Sequence, residues 1–214
     1  MKEFFDIGNT LIEIGSYQLS YLETIGTLFG LASVWLAAKA NRHTWTTGII
    51  SVSAFFYLFY QVSLYSDMFL QGFFFITSIF GWFMWKKNRK DVPITIIKPK
   101  HRLFFVMVII ITSMMLAKQI QTIHVYYSNW FPEPAAFPIA DAFTTVLSVV
   151  ATFFLMKKKV EAWILWIIVD IVSIWIYFQK GIWLVGFEYC IFLFMATYGG
   201  YRWLKILQND KRNT

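Results

Sequence analysis

Charge is what this chain has least of. Only 14% of its 214 residues are Asp, Glu, Lys or Arg, where a water-soluble domain of this length carries about a quarter. One cysteine, Cys190, leaves no internal disulfide and no CxxC site. No HExxH, GxSxG or Walker sequence occurs, which removes the common hydrolase and nucleotide-binding signatures. The three histidines, His43, His101 and His124, fall at loops or helix ends, without the spacing that a zinc site requires. No catalytic set, resident cofactor or metal is therefore expected. Nor does the start resemble a cleaved signal: its basic region is Lys2 alone, and Asp6 and Glu13 interrupt the residues after it.

What is present is apolar and aromatic. Hydrophobic residues make up 58% and aromatics 21%, the mean hydropathy is +0.56, and apolar runs of 17 or more residues recur. Such a chain reads as an all-α membrane protein. Seven transmembrane helices are predicted near residues 21–39, 45–65, 68–85, 103–123, 138–156, 160–179 and 183–204. Between them lie "KANRH", "YSD", "KKNRKDVPITIIKPKHR", "SNWFPEPAAFP", "KKK" and "QKG". Alternating the loops between two sides puts sixteen of the nineteen basic residues on one side. Only Lys2, Lys118 and Lys180 fall on the other. The positive-inside rule then places the N-terminus outside and the C-terminus in the cytoplasm. It also accounts for the net charge of +7 without invoking nucleic acid. Acids show the reverse bias: Glu3, Asp6, Glu13, Glu23, Asp67, Glu133, Asp141 and Glu188 lie toward the outside, a mouth that would attract cations.

A fixed offset of 118 residues superimposes landmarks without a gap. Trp45 meets Trp163, Gly81 meets Gly199, Trp85 meets Trp203, Lys39 meets Lys157, and Glu23 meets Asp141. This register implies three helices, one linking helix and three more. The odd linker gives both triplets the same orientation, as in the parallel repeats of SWEET-type transporters. The expected division is an external segment 1–20, a first repeat 21–86, a linker with the fourth helix 87–137, a second repeat 138–205 and a cytoplasmic tail 206–214.

Helix six, "EAWILWIIVDIVSIW", carries a carboxylate in mid-span. At 100° per residue Trp163, Trp166 and Asp170 fall within about 60° of one another, and Ser173 and Tyr177 extend the stripe. A carboxylate facing lipid costs about 2.5–3.5 kcal/mol, so Asp170 should face the bundle interior. In helix three, Gln71, Phe74, Phe75, Ser78 and Trp82 form a second stripe, and "GFEYC" in helix seven adds Glu188 and Tyr189. Aromatic faces beside an acid suit a flat organic cation. The bland alternatives stand beside this reading: a structural Asp bonded to a neighbouring helix, a Trp anchored at the interface, or an interhelical Gln or Ser bond.

The stretches "SYLETIGTLFGLASVWLAAKANRHTWTTGII", "LYSDMFLQGFFFITSIFGWFMW", "DAFTTVLSVVATFFLMKKKVEAWILWIIVDIVSI" and "FEYCIF" resemble the PnuC family of bacterial vitamin transporters. The likeness spans about residues 20–205 and is strongest in the Trp-x-x-Trp of helix six and the Gly-Trp-x-x-Trp of helix three. It implies uptake of nicotinamide riboside across the inner membrane by facilitated diffusion, with a cytoplasmic kinase trapping the product. By the same resemblance Gln71, Phe74, Ser78, Trp163, Trp166, Asp170 and Tyr189 are the substrate-binding residues. Some riboside-carrying members have Asn where this chain has Ser78 and Asp170, which keeps thiamine, and after it riboflavin, as alternatives. A seven-helix receptor is the rival of a different class, and homo-oligomerisation stays open.

Overall fold

A computed structural model of the protein describes residues 10–14, 17–61, 65–87, 93–129, 134–179 and 183–212. Seven α-helices run through them: α1 (Tyr21–Ala38), α2 (His43–Gln61), α3 (Tyr65–Lys87), α4 (Pro99–Tyr126), α5 (Pro138–Met156), α6 (Glu161–Gln179) and α7 (Trp183–Arg212). Five of these, α1, α3, α4, α5 and α6, hold stretches long and apolar enough to cross a bilayer. Of the other two, α2 falls short of that expectation because hydroxyl groups, Tyr and Trp dilute its hydropathy. In α2 these are Thr44, Thr46, Thr47, Ser51 and Ser53.

One feature departs from an all-helical chain. An antiparallel hairpin of β1 (Thr10–Ile14) and β2 (Tyr17–Ser20) precedes α1. Gly15 and Ser16, between the strands, lie outside the described residues. Residues 1–9 of the expected external segment, with Glu3 and Asp6, lie outside the described residues, as do Glu133 and Lys180.

Helix ends reflect local chemistry. The Ser20 hydroxyl caps α1 by accepting the Glu23 N–H at 3.1 Å, the Ser-x-x-Glu arrangement of a capping box. Proline occupies the first turn of α4 and of α5, where its missing N–H costs nothing. Two turns are built alike. α1 ends at Ala40 (φ 52°) and α5 at Lys158 (φ 48°), and each reverses the chain by a Schellman motif. The bonds are Ala40 N–H to the Ala37 carbonyl and Asn41 N–H to Leu36, against Lys158 N–H to Leu155 and Lys159 N–H to Phe154. The next helices also open alike, with Trp45 N–H to Arg42 and Trp163 N–H to Val160, both at 3.1 Å.

The chain divides near residue 92 into two compact units. In the first, α1 packs on α2 and α2 on α3; in the second, α4 packs on α5, α5 on α6 and α6 on α7. The fourth helix thus belongs with the second triplet. Its buried residues, Ile109, Ser113 and Ala117, recur every fourth position, forming a single stripe against α5. Leu103, Phe104, Met107, Ile111 and Met114 stay exposed.

The core of each unit turns on a tryptophan lying over a glycine. A Cβ at Gly81 would come within 2.5 Å of the Trp45 indole, and one at Gly199 within 2.6 Å of Trp163. Trp85 meets Trp45 edge-on at 5.4 Å and 86°, and Trp203 meets Trp163 at 5.5 Å and 87°.

Candidate functional site

The α6 stripe drawn from spacing exists as a face, and the side chains along it have different surroundings. Trp163 is 2% exposed, with its ring wedged against Gly199 and Gly200 of α7. Its indole N–H has no hydrogen-bond partner among the described residues. One turn on, Trp166 is half-buried beside a cluster of Ile109, Val146, Leu147 and Val169. Asp170 is 3% exposed, and no hydrogen bond or salt bridge to its carboxylate is found among the described residues. Lysine and arginine are absent from α6 itself.

Helix α7 brings a second set to the same place. Tyr189 stacks on Tyr177 with ring centres 5.3 Å apart and planes 18° from parallel. Its hydroxyl lies in the neighbourhood of Ser173, Asp170 and Glu188. Phe192 closes the outer side of Tyr189 edge-on at 6.0 Å. The fold therefore joins Asp170, Ser173, Tyr177 and Tyr189 into one cluster: a buried acid, a buried serine and two nearly parallel rings. Spacing along α6 could place Ser173 and Tyr177, whereas only α6–α7 packing puts Tyr189 against them.

In the first unit the α3 stripe is less coherent. Ser78 is 7% exposed and faces the backbone of α2, where a Cβ on Gly48 would lie 3.5 Å from its hydroxyl and 3.3 Å from that of Ser33. Gln71 and Phe74 are half-buried on the same face. Phe75 points out and is exposed. Trp82 serves a different purpose: its ring receives the Arg42 guanidinium at 4.9 Å and the His43 ring at 5.7 Å, at the turn into α2. The hydroxyl pair of Ser33 and Thr44, 3.2 Å apart, was not anticipated; Gly48 one turn beyond Thr44 was the available sign. An open apolar groove of about 380 Å³ between α1 and α2, lined by Leu22, Ile25, Ile50, Ser53, Ala54 and Tyr57, contains none of the stripe residues.

The 118-residue register pairs these positions in an informative way. Gln71 corresponds to Tyr189, Phe74 to Phe192 and Ser78 to Ala196, and Gly48 stands where the second unit has Trp166. Asp170 corresponds to Val52. The acid and the second tryptophan thus belong to one copy only.

Residues 20–205 match the model of a family described as nicotinamide mononucleotide transporter. The chain is 30% identical to the nicotinamide riboside transporter PnuC of Escherichia coli K12, over 94% of each chain. It is 25% identical to the protein of that name from Neisseria mucosa, over 88% of this chain and 74% of the relative. A riboflavin/roseoflavin transporter, RibM, of Streptomyces davaonensis is 24% identical, over 89% and 87%. The crystal structure of the vitamin B3 transporter PnuC superimposes with a TM-score of 0.66, at 23% identity, over 88% of this chain and 83% of that one.

Proposed function

The chain belongs to the nicotinamide mononucleotide transporter family and is a multi-pass bacterial membrane protein, and from that membership we propose that it takes up nicotinamide riboside by facilitated diffusion. The observation that carries the reading is Asp170: a carboxylate in an apolar helix, without a donor or cation among the described residues, beside Trp166 and Tyr189. A pyridinium ring supplies what this arrangement lacks, a positive charge on a flat aromatic body. The same acid argues against the phosphorylated mononucleotide of the family's description. A phosphate brought near a desolvated carboxylate would be strongly repelled, and α6 carries no basic residue to offset it. Riboflavin has no cation to offer Asp170. Thiamine, with its thiazolium, remains the second reading.

Ligand contacts are assigned to Trp166, Asp170 and Tyr189 of the second unit. Trp163 joins them through its unpartnered indole N–H, since its ring face is taken up by α7. The architecture belongs to the same proposal: seven spans arranged as 3+1+3, two parallel repeats, N-terminus outside and C-terminus cytoplasmic. Its support is the recurrence, 118 residues apart, of the Schellman turns, the Trp-over-Gly wedges and the edge-on tryptophan pairs. At 19 and 30 residues, α2 and α7 reach across a hydrocarbon core of about 30 Å. Alternating access carries the riboside inward, and phosphorylation by a cytoplasmic kinase retains it.

Titration calorimetry of nicotinamide riboside, nicotinamide mononucleotide, thiamine and riboflavin against the purified protein tests the reading. Binding of the riboside with no binding of the mononucleotide is expected. Binding of thiamine alone transfers the assignment to that cation, and binding of riboflavin alone, or of none, rejects it.

A further inference from the structure

The two Schellman turns share a register but are closed by different devices. At the second, the extended segment before α4 lies along the turn. Thr95 pairs with Lys159 in a parallel bridge: its N–H donates to the Lys158 carbonyl, and its own carbonyl accepts the Val160 N–H, both at 3.0 Å. The Lys159 ammonium donates to the Thr95 hydroxyl at 2.8 Å. Glu161, in the first turn of α6, accepts the Ile97 N–H at 2.9 Å and a weaker bond from Arg102 at 3.4 Å. The Arg102 Nε also donates to the Ile97 carbonyl. Ile94 and Ile97 are both buried, with Ile97 packed against Phe154 and Ala162. Phe105 of α4 meets Phe154 edge-on at 4.9 Å. The start of α4, this segment and the α5–α6 turn are one packed piece.

At the first turn no such strap is found among the described residues. The Ala40 carbonyl and the Arg42 N–H stand where Lys158 and Val160 bond Thr95, and they take part in no backbone hydrogen bond among the described residues. His43 replaces Glu161, and Asn41, Arg42 and His43 are exposed. Within this corner the Ser33 and Thr44 hydroxyls each donate to the other residue's backbone carbonyl at 2.8 Å, and what holds the corner to α3 at its tip is Trp82, in the register position of Gly200, through the Arg42 and His43 contacts. Exposed cation–π contacts are weak. A paired strand with two buried isoleucines is not, because opening it would expose both its hydrogen bonds and its apolar anchors.

We infer that the segment from Ile94 to Lys98 is a strap that keeps the α5–α6 turn shut throughout the transport cycle, and that the α1–α2 turn, held by Trp82, is the one that opens. The inference rests on the alternating-access reading of the proposed function. Thr95, Ile97, Arg102 and Glu161 are then positioning residues. They fix the first turn of α6, and Trp163, Trp166 and Asp170 lie along the successive turns of that helix. Hinge transitions concentrate where few contacts must break, and the two turns differ in that respect.

The test uses two cysteine pairs in a Cys190→Ser background, reconstituted in vesicles, each joined by a short cleavable bis-thiol reagent. Linking the Thr95→Cys/Lys159→Cys pair should leave riboside uptake within about twofold of the unlinked protein, whereas linking the Arg42→Cys/Trp82→Cys pair should cut it at least about tenfold, with recovery on reduction. Uptake blocked by the first link, or untouched by the second, overturns the inference. If the unlinked protein carries no riboside at all, the functional proposal has failed, and amide hydrogen exchange judges the strap by itself. The Thr95 and Val160 amides should then exchange at least about a hundredfold more slowly than that of Arg42. Equal rates would reject the strap.

Discussion

At the scale of single residues, the proposed chemistry turns on Asp170. It sits in an apolar helix with hydroxyls and rings around it and no cation of its own among the described residues. Replacing one carboxylate oxygen by an amide nitrogen, Asp170→Asn, keeps the shape and removes the charge. Affinity for a cationic ligand should fall about tenfold, the equivalent of about 1.4 kcal/mol. Affinity for the uncharged, ring-reduced riboside should change by less than about threefold, within the spread of one neutral hydrogen bond. Calorimetry of both ligands against both proteins decides this, and an equal loss for the two would remove charge pairing from the account. Asp170, Trp163 and Trp166 were legible in the sequence because acids and indoles are rare in apolar helices and the helical angle is fixed. Tyr189 could be named but not placed: its stacking on Tyr177 depends on the α6–α7 approach, which no spacing within either helix encodes.

Among the elements, that approach is set by glycines. Gly81 and Gly199 let a tryptophan lie flat on the neighbouring helix, and any side chain there meets the ring at 2.5–2.6 Å. Gly81→Ala and Gly199→Ala should each destabilise the protein by about 1–3 kcal/mol, as overpacking does, seen as a lower melting temperature in detergent. Adding Trp163→Phe to Gly199→Ala should recover part of the loss; no recovery would place the strain elsewhere. All seven helix starts were legible to within about four residues, as expected of hydropathy windows, because their periodic patterns run long. What was missed is short and extended. The β1–β2 hairpin spans only a few residues on each side of Gly15-Ser16. The strap "PITIIK" sits inside a run of basic residues that read as a loop, although its β-branched Ile-Thr-Ile-Ile core is a strand signal. Neither segment buries a face by itself, so pairing with other parts of the chain decides its conformation.

For the molecule as a whole, the distribution of charge gives a prediction about energetics. Moving one positive charge inward gains about 2.3 kcal/mol per 100 mV, an accumulation of about 50-fold at equilibrium. Vesicles holding an inside-negative potassium diffusion potential should therefore concentrate nicotinamide riboside to that extent with no second ion. The ring-reduced neutral riboside should only equilibrate. Accumulation that persisted after the potential was collapsed would require a coupled ion.

On the proposed repeat, the two halves differ at one telling place. Gly48 occupies the register of Trp166, and Val52 that of Asp170. On that reading only the second half has the equipment proposed for a charged ring. Binding should consequently saturate at one ligand per chain, and a calorimetric stoichiometry of two would mean that the hydroxyl-rich α1–α3 half had kept a receptor function of its own.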